Sequence, residues 1–290
     1  MILAWLFRIL NAHIITTRFE LVRKPLKVVL LVSQKFAKLS RNRLRDKPTW
    51  VTIDNFDGDV KLKVDRSRTM GAAFYWEGFH EFREFIFMHR YLRKEMVAID
   101  IGANLGEYTL FMAKRLTNGK VISFEPMSKM VSLLEENIGL NGFTNVQVCP
   151  YGLSNKNEMA MVHEVDDAHE GLGTFFLGER KSKIAMRVDL RTLDSTFESL
   201  HIDRLDFMKI DIEGSEFYAL QGGKSSISKF RPYVLIEINE PTYMAAGYSV
   251  AEVENFFKEM KYVAHRVNKR GLLEICNRLP EFGNVIFVPQ

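Results

Sequence analysis

The spacing of apolar residues changes twice along the chain. Residues 2–15 carry Leu3, Leu6, Phe7, Leu10 and Ile14 three and four positions apart, which predicts an amphipathic helix within a helical leader, residues 1–48. Near Lys47 to Thr49 the period falls to two. Val51 and Ile53, then Val60, Leu62 and Val64 interleaved with Lys61, Lys63 and Asp65, predict a β-hairpin with Asp57-Gly58 in its turn. An aromatic run follows, with Phe74, Tyr75, Trp76, Phe79, Phe82, Phe85 and Phe87 read mostly as core packing, so residues 49–95 form a hairpin and an aromatic helical cap.

From residue 96 to 290 the pattern alternates strand and helix. Met96 to Ile101, Val121 to Phe124 and Val146 to Cys149 are short apolar strands. Tyr108 to Leu116 and a helix capped by Ser128, with Val131, Leu134 and Ile138 on one face, lie between them. Residues 151–204 break this rhythm with short candidate strands (Met159 to Val165, Thr174 to Leu177, Ile184 to Val188) and read as an insertion. Alternation resumes with the strand Leu205 to Ile210, a helix from Glu216, the strand Tyr233 to Ile238 and a helix over Ala251 to Met260. Tyr262 to Val267 and Asn284 to Val288 form a closing antiparallel pair. The fold class is therefore α/β, a Rossmann-like, mostly parallel sheet with helical crossovers.

Charge adds a feature that periodicity does not show. Of a net +4, the first 50 residues contribute +9 and the remainder −5, so a mildly acidic body carries a basic leader suited to phosphate-rich surfaces. Arg8, Asn11, Lys27 and Lys35 interrupt every apolar run short of a transmembrane length, and the leader lacks the layout of a signal peptide. Two placements follow, a helix lying in a membrane interface or one docked on its own domain. Cys149 and Cys276 fit neither a disulfide framework nor a structural zinc site, so the expected location is cytoplasmic, with peripheral attachment at the inner face of the membrane as the first placement.

The candidate chemistry sits at strand ends. Val97 to Ile101 runs into Gly102-Ala103-Asn104-Leu105-Gly106, where Gly102 permits close backbone approach and Gly106 opens a helix whose amides favour negative charge. A nicotinamide dinucleotide prefers glycine where Asn104 stands, whereas a ligand with a single carboxylate, such as the methionine part of S-adenosylmethionine, does not need it. Glu125 ends the next strand, about 20 residues past the loop, where a carboxylate accepts hydrogen bonds from a ribose diol; its alternative is a helix-capping acid. Asp100, Gly102, Ala103, Asn104, Gly106, Glu125, Pro126, Gly152 and Asp211 form the expected cofactor set. Lys209-Ile210-Asp211-Ile212-Glu213-Gly214-Ser215-Glu216 then crowds three carboxylates at one strand end, a costly arrangement unless a sulfonium, a metal ion or a proton shares the space. Glu237 ends the following strand and points to the same crevice.

These blocks in order resemble the FkbM family of methyltransferases: Asp100 to Gly106, Phe124 to Pro126, Lys209 to Glu216, and Pro232 to Glu237, with Gly78-Phe79-His80-Glu81 and Thr192-Leu193-Asp194 also similar. The resemblance covers about residues 70–265. It implies a class I methyltransferase sheet and O-methylation from S-adenosylmethionine, often of sugar hydroxyls in glycans, glycolipids or secondary metabolites. An aliphatic hydroxyl is a poor acid, so a base is required, and Asp211, Glu213 and Glu237 are candidates in that order, with His80 an alternative. A divalent metal held by the three acids is a minority reading, because no further ligand pattern accompanies them. His163, Asp166, Asp167 and His169 read as a solvated loop.

Two other classes compete: a nicotinamide oxidoreductase, disfavoured by Asn104, and a non-catalytic, membrane-tethered module, disfavoured by the joint presence of Gly102, Gly106, Glu125 and Asp211. Specific nucleic-acid recognition is not expected, since the leader's charge supports only nonspecific phosphate attraction. Acceptor choice is assigned to the insertion and the aromatic segment around Trp76.

Overall fold

A computed structural model of the chain describes residues 1–16, 20–44, 47–79, 81–165, 173–176 and 182–290. The leader forms two helices, α1 (Ile2–Thr16) and α2 (Glu20–Leu44). Next come the antiparallel hairpin β1 (Trp50–Ile53) and β2 (Leu62–Asp65), then helices α3 (Thr69–Glu77) and α4 (Phe82–Tyr91). Alternation follows through β3 (Val97–Ile101), α5 (Glu107–Arg115), β4 (Lys120–Phe124), α6 (Ser128–Leu140) and β5 (Val146–Cys149). The insertion contributes β6 (Gly152–Leu153), β7 (Glu158–Val165), β8 (Gly173–Thr174), β9 (Ser182–Arg191) and α7 (Leu193–Ser199). Then come β10 (Phe207–Ile210), α8 (Glu216–Gly222), α9 (Lys224–Phe230), β11 (Tyr233–Asn239), α10 (Glu240–Ala246) and α11 (Val250–Glu259), and the chain closes with β12 (Tyr262–Val267), β13 (Leu273–Ile275) and β14 (Phe282–Pro289).

The main sheet has the order β13-β12-β14-β11-β10-β3-β4-β5, parallel from β11 to β5 and antiparallel where β14 enters between β11 and β12. Successive strand residues face opposite sides. Ala98, Phe207, Leu235 and Ile286 join a core with α3, α4 and α5, while Ile99, Met208, Val234 and Val285 join a second core with α8, α9 and α11. Buried on both faces, these strands read as continuous apolar runs. The insertion folds into its own small sheet, β6-β9-β7-β8.

Three local expectations need correction. Ser128 is the first residue of α6 rather than its cap; Met127 holds that position and no side chain caps it. The expected strand Thr174 to Leu177 is only Gly173–Thr174 within the described residues. The leader helix docks by a different face from the one its leucines suggest. Leu3, Leu6 and Leu10 are exposed, while Ala4, Phe7, Arg8 and Asn11 are buried; the Ile14 side chain lies outside the described part.

Polar latches explain the docking. Arg8 donates through Nε to Asn55 Oδ1 and through Nη1 to the Tyr75 carbonyl at 2.6 Å, and Asn11 Nδ2 donates to the Glu77 carbonyl at 3.0 Å. Burial lowers the Arg8 guanidinium to about 10, which leaves it charged at neutral pH. Arg8→Ala strands a buried carbonyl and a buried amide oxygen, so we expect a loss of about 2 kcal/mol in urea unfolding; an unchanged midpoint would show that the latch contributes nothing.

Among the described residues no helix is long and apolar enough to cross a membrane.

Candidate active site

Strand order reverses direction between β3 and β10. Connections run outward from β3 through β4 to β5 on one side, and β10 and β11 lie on the other, which opens a crevice at the carboxyl ends of these strands. A cleft of about 340 Å³ occupies that place. Its floor and rim include Gly102 to Leu105, Glu125 and Pro126, Asp211 and Glu213, and Glu237, while Leu153, Val162 and Phe175 form a wall from the insertion.

The loop after β3 is stitched to its neighbours. Gly102 has φ +81°, and a Cβ there would lie 2.0 Å from the Asp211 carbonyl oxygen, so the end of the adjacent strand excludes any side chain. The Gly102 and Ala103 amides both donate to the Phe124 carbonyl at 3.0 Å. Gly106, with φ +104°, opens α5. Asp100 is buried behind the loop and does not line the cleft; its Oδ2 accepts from Thr109 Oγ1 at 2.6 Å.

Glu125 joins three elements. One carboxylate oxygen accepts from the Asn104 amide of the loop and the other from the Met127 amide at the start of α6, both at 2.9 Å. The capping alternative is thus part of its geometry, yet an ionised carboxylate has about four acceptor sites, and the residue still lines the cleft. Burial, opposed by those two amides and Lys209, pushes its carboxyl up to about 7.

The crowded acids on the other side have two explanations that the sequence pattern did not separate. Glu216 faces away from the cleft and folds its own turn, accepting from the Ile212 and Gly214 amides at 2.8 and 3.0 Å; burial pushes it up to about 7. Lys209 supplies a cation from within the chain. Its buried Nζ lies 3.5 Å from Asp100 Oδ1 and 3.7 Å from Asp211 Oδ2, and donates to the Gly102 carbonyl at 3.1 Å. Burial alone would lower this ammonium, but Asp100 and Asp211 outweigh it and hold it above its ordinary value. Glu213 takes a left-handed conformation, φ +55°, at the cleft edge. Glu237, half-buried beside Asp211 and Glu213, is pushed up to about 9 by burial and by those like charges. Among the described residues, no group of three or more His, Cys, Asp or Glu is placed to hold a metal ion.

The methyltransferase FkbM domain matches residues 100–264, more than half of the chain. The chain belongs to the FkbM methyltransferase family. Its similarity extends to the AMB antimetabolite synthetase AmbE of Pseudomonas aeruginosa, 26% identical over 50% of this chain and 8% of that protein. It also extends to the methyltransferase sdnD of Sordaria araneosa, 24% identical over 50% of this chain and 66% of that protein. The chain thus spans less than two thirds of either relative. A solved methyltransferase FkbM from Methylobacillus flagellatus superposes with a TM-score of 0.46 at 17% identity, covering 68% of this chain and 44% of that one.

In this FkbM-family chain the structure brings Gly102, Ala103, Asn104, Glu125, Pro126, Gly152, Asp211, Glu213 and Glu237 to one cleft. It leaves Asp100 behind that cleft and Gly106 at the head of α5. His80, Asp166, Asp167 and His169 lie outside the described residues, while His163 lies in β7. Trp76 does not line the cleft; it stacks on Phe36 of α2, 5.1 Å between centroids, and contacts Phe7 of α1. Sequence reasoning gave no part to Tyr108 and Asn284, whose hydroxyl and side-chain amide donate to Glu81 at the cleft edge. Helical periodicity marks Tyr108 only as a helix residue, and Asn284 comes from a strand about 200 residues away from Glu81.

Proposed function

We propose that the chain is an S-adenosylmethionine-dependent O-methyltransferase acting on a hydroxyl group, that of a sugar in a glycan, glycolipid or secondary metabolite. The observation that carries this reading is Glu125, anchored between the glycine loop and the start of α6 and opening onto the same cleft as the β10 and β11 carboxylates. S-adenosylmethionine, when bound, supplies a methyl group made electrophilic by a sulfonium.

Glu125 accepts from a ribose diol, and Pro126, Gly152 and the residues 102–106 shape the cofactor side, with the amides at the head of α5 facing a carboxylate. Asp100 positions the loop from behind. On the acceptor side Asp211 takes the hydroxyl proton as the oxygen attacks, and Glu213 is the second choice. Glu237, raised by burial and by the neighbouring Asp211 and Glu213 charges, is the carboxyl most disposed to keep a proton and to donate a hydrogen bond to the acceptor instead. Support for the sugar acceptor is the carboxylate-rich lining of the cleft, Glu81, Asp211, Glu213 and Glu237, which can receive hydroxyl donors. A cytoplasmic enzyme held by residues 1–48 at the inner face of a membrane is part of this reading, supported by their net charge of +9.

Calorimetric titration with S-adenosylhomocysteine, beside NAD, tests the cofactor, and a panel of glycans with radiolabelled S-adenosylmethionine tests the acceptor. Binding of S-adenosylhomocysteine with methyl incorporation that Asp211→Asn abolishes is the expected result; a response to NAD alone overturns the reading. A pH effect follows from Glu125. Diol donors favour its ionised form and draw its pKa below the value near 7 of the free protein, so binding releases protons around pH 7 and weakens as pH falls below it. Titrations in buffers of different ionisation enthalpy measure that release, which Glu125→Ala should abolish.

A further inference from the structure

We propose that α1 and α2 form a docking surface for an anionic lipid membrane, using an apolar face that the fold leaves in water. This rests on, and deepens, the peripheral placement stated above, and is independent of the methyl acceptor.

The observation is an inversion. A helix packed on its own domain ordinarily buries its leucines and wets its polar residues. Here α1 buries Arg8 and Asn11, whose side-chain nitrogens donate to Asn55, Tyr75 and Glu77 of the body, and leaves Ile2 at 78% exposure with Leu3, Leu6 and Leu10 also exposed. Docking uses that side, so the outward face is not the one that contacts the domain. The same holds for α2. Ser33 and Ala37 face inward, while Val28, Leu31, Val32, Phe36 and Leu39 are exposed at spacings of three and four. Phe36 of the α2 stripe also contacts the buried Phe7 of α1, 5.8 Å between ring centroids, which holds the two helices together. Among the described residues outside α1 and α2, the exposed large apolar side chains, Trp50, Met159, Met161, Met244, Leu272, Ile275 and Phe282, are spread over several elements rather than along one helix.

Charge selects the occupant. No acid occurs from residue 21 to 45, and at about 100° per residue Lys35 and Arg43 fall within the apolar stripe of α2, with Lys38 beside it; all three are exposed. Such side chains lay their stems along apolar surface and carry the charge outward to headgroup level. A second copy of the chain would oppose one basic face to another, an arrangement penalised by repulsion. An anionic bilayer satisfies both features at once, offering hydrocarbon to the leucines and phosphate to the cations, with Trp5 suited to the boundary.

The test is co-sedimentation of the full chain with phosphatidylcholine vesicles, with and without phosphatidylglycerol, together with the Leu6→Glu/Leu31→Glu and Lys35→Glu/Lys38→Glu variants. All four positions are exposed, so the variants keep the fold, checked by S-adenosylhomocysteine affinity and circular dichroism. Expected is binding to the phosphatidylglycerol vesicles, weakened by salt and reduced tenfold or more in each variant. Failure of the folded chain to sediment with these vesicles overturns the proposal. So does a concentration-dependent dimer, seen by light scattering and lost in Leu6→Glu/Leu31→Glu, without vesicle binding. Vesicle binding without any S-adenosylhomocysteine affinity would instead leave the surface standing and remove the methyltransferase reading.

Discussion

Lys209→Met is expected to destabilise the protein by about 3–5 kcal/mol, the cost of breaking a buried ion pair from one side. The lysine ammonium is the partner of Asp100, which has no exposed surface, and it also holds the Gly102 carbonyl of the loop. Its removal leaves a buried carboxylate uncompensated and the loop without one of its ties. Affinity for S-adenosylhomocysteine should fall with stability, because the loop amides lose their placement. Urea unfolding with the titration beside it measures both quantities. If the unfolding midpoint stays where it was, the ion pair is merely adjacent and the loop is held by its bonds to Phe124 alone.

Glu125→Gln should act on binding and, to a smaller extent, on folding. The substitution keeps the shape and one carbonyl oxygen for a backbone amide, sets its NH2 against the other amide at a cost of about 1–3 kcal/mol in stability, and removes the charge that strengthens hydrogen bonds from a diol. A charge-assisted bond contributes about 1.5–3 kcal/mol, so loss of that contribution should lower S-adenosylhomocysteine affinity roughly 10- to 150-fold. Calorimetry on the folded variant reads this directly. Affinity within a factor of three of the parent would mean that Glu125 serves only the Asn104 and Met127 amides and that the ribose reading is wrong.

The sequence by itself determined the α/β alternation, the hairpin, the glycine loop and the strand-end acids. Each is a local property: a period of two or 3.6, a glycine at a turn, a carboxylate closing an apolar run. The closing strands were legible as an antiparallel pair, though the entry of β14 between β11 and β12 was not, since apolar runs do not encode sheet order. Tertiary structure alone decided which acids share the cleft. Glu216 turns inward to accept backbone amides while Asp211 and Glu213, a few residues earlier, remain at the cleft. It also decided that the compensating cation is Lys209, in plain view in the chain yet paired with Asp100 only because β10 lies beside β3. The leader shows the same division most sharply. Periodicity revealed a helix with an apolar stripe, but the side on which it docks was set by Arg8 and Asn11, whose partners Asn55, Tyr75 and Glu77 lie more than 45 residues away and become neighbours only in the folded chain.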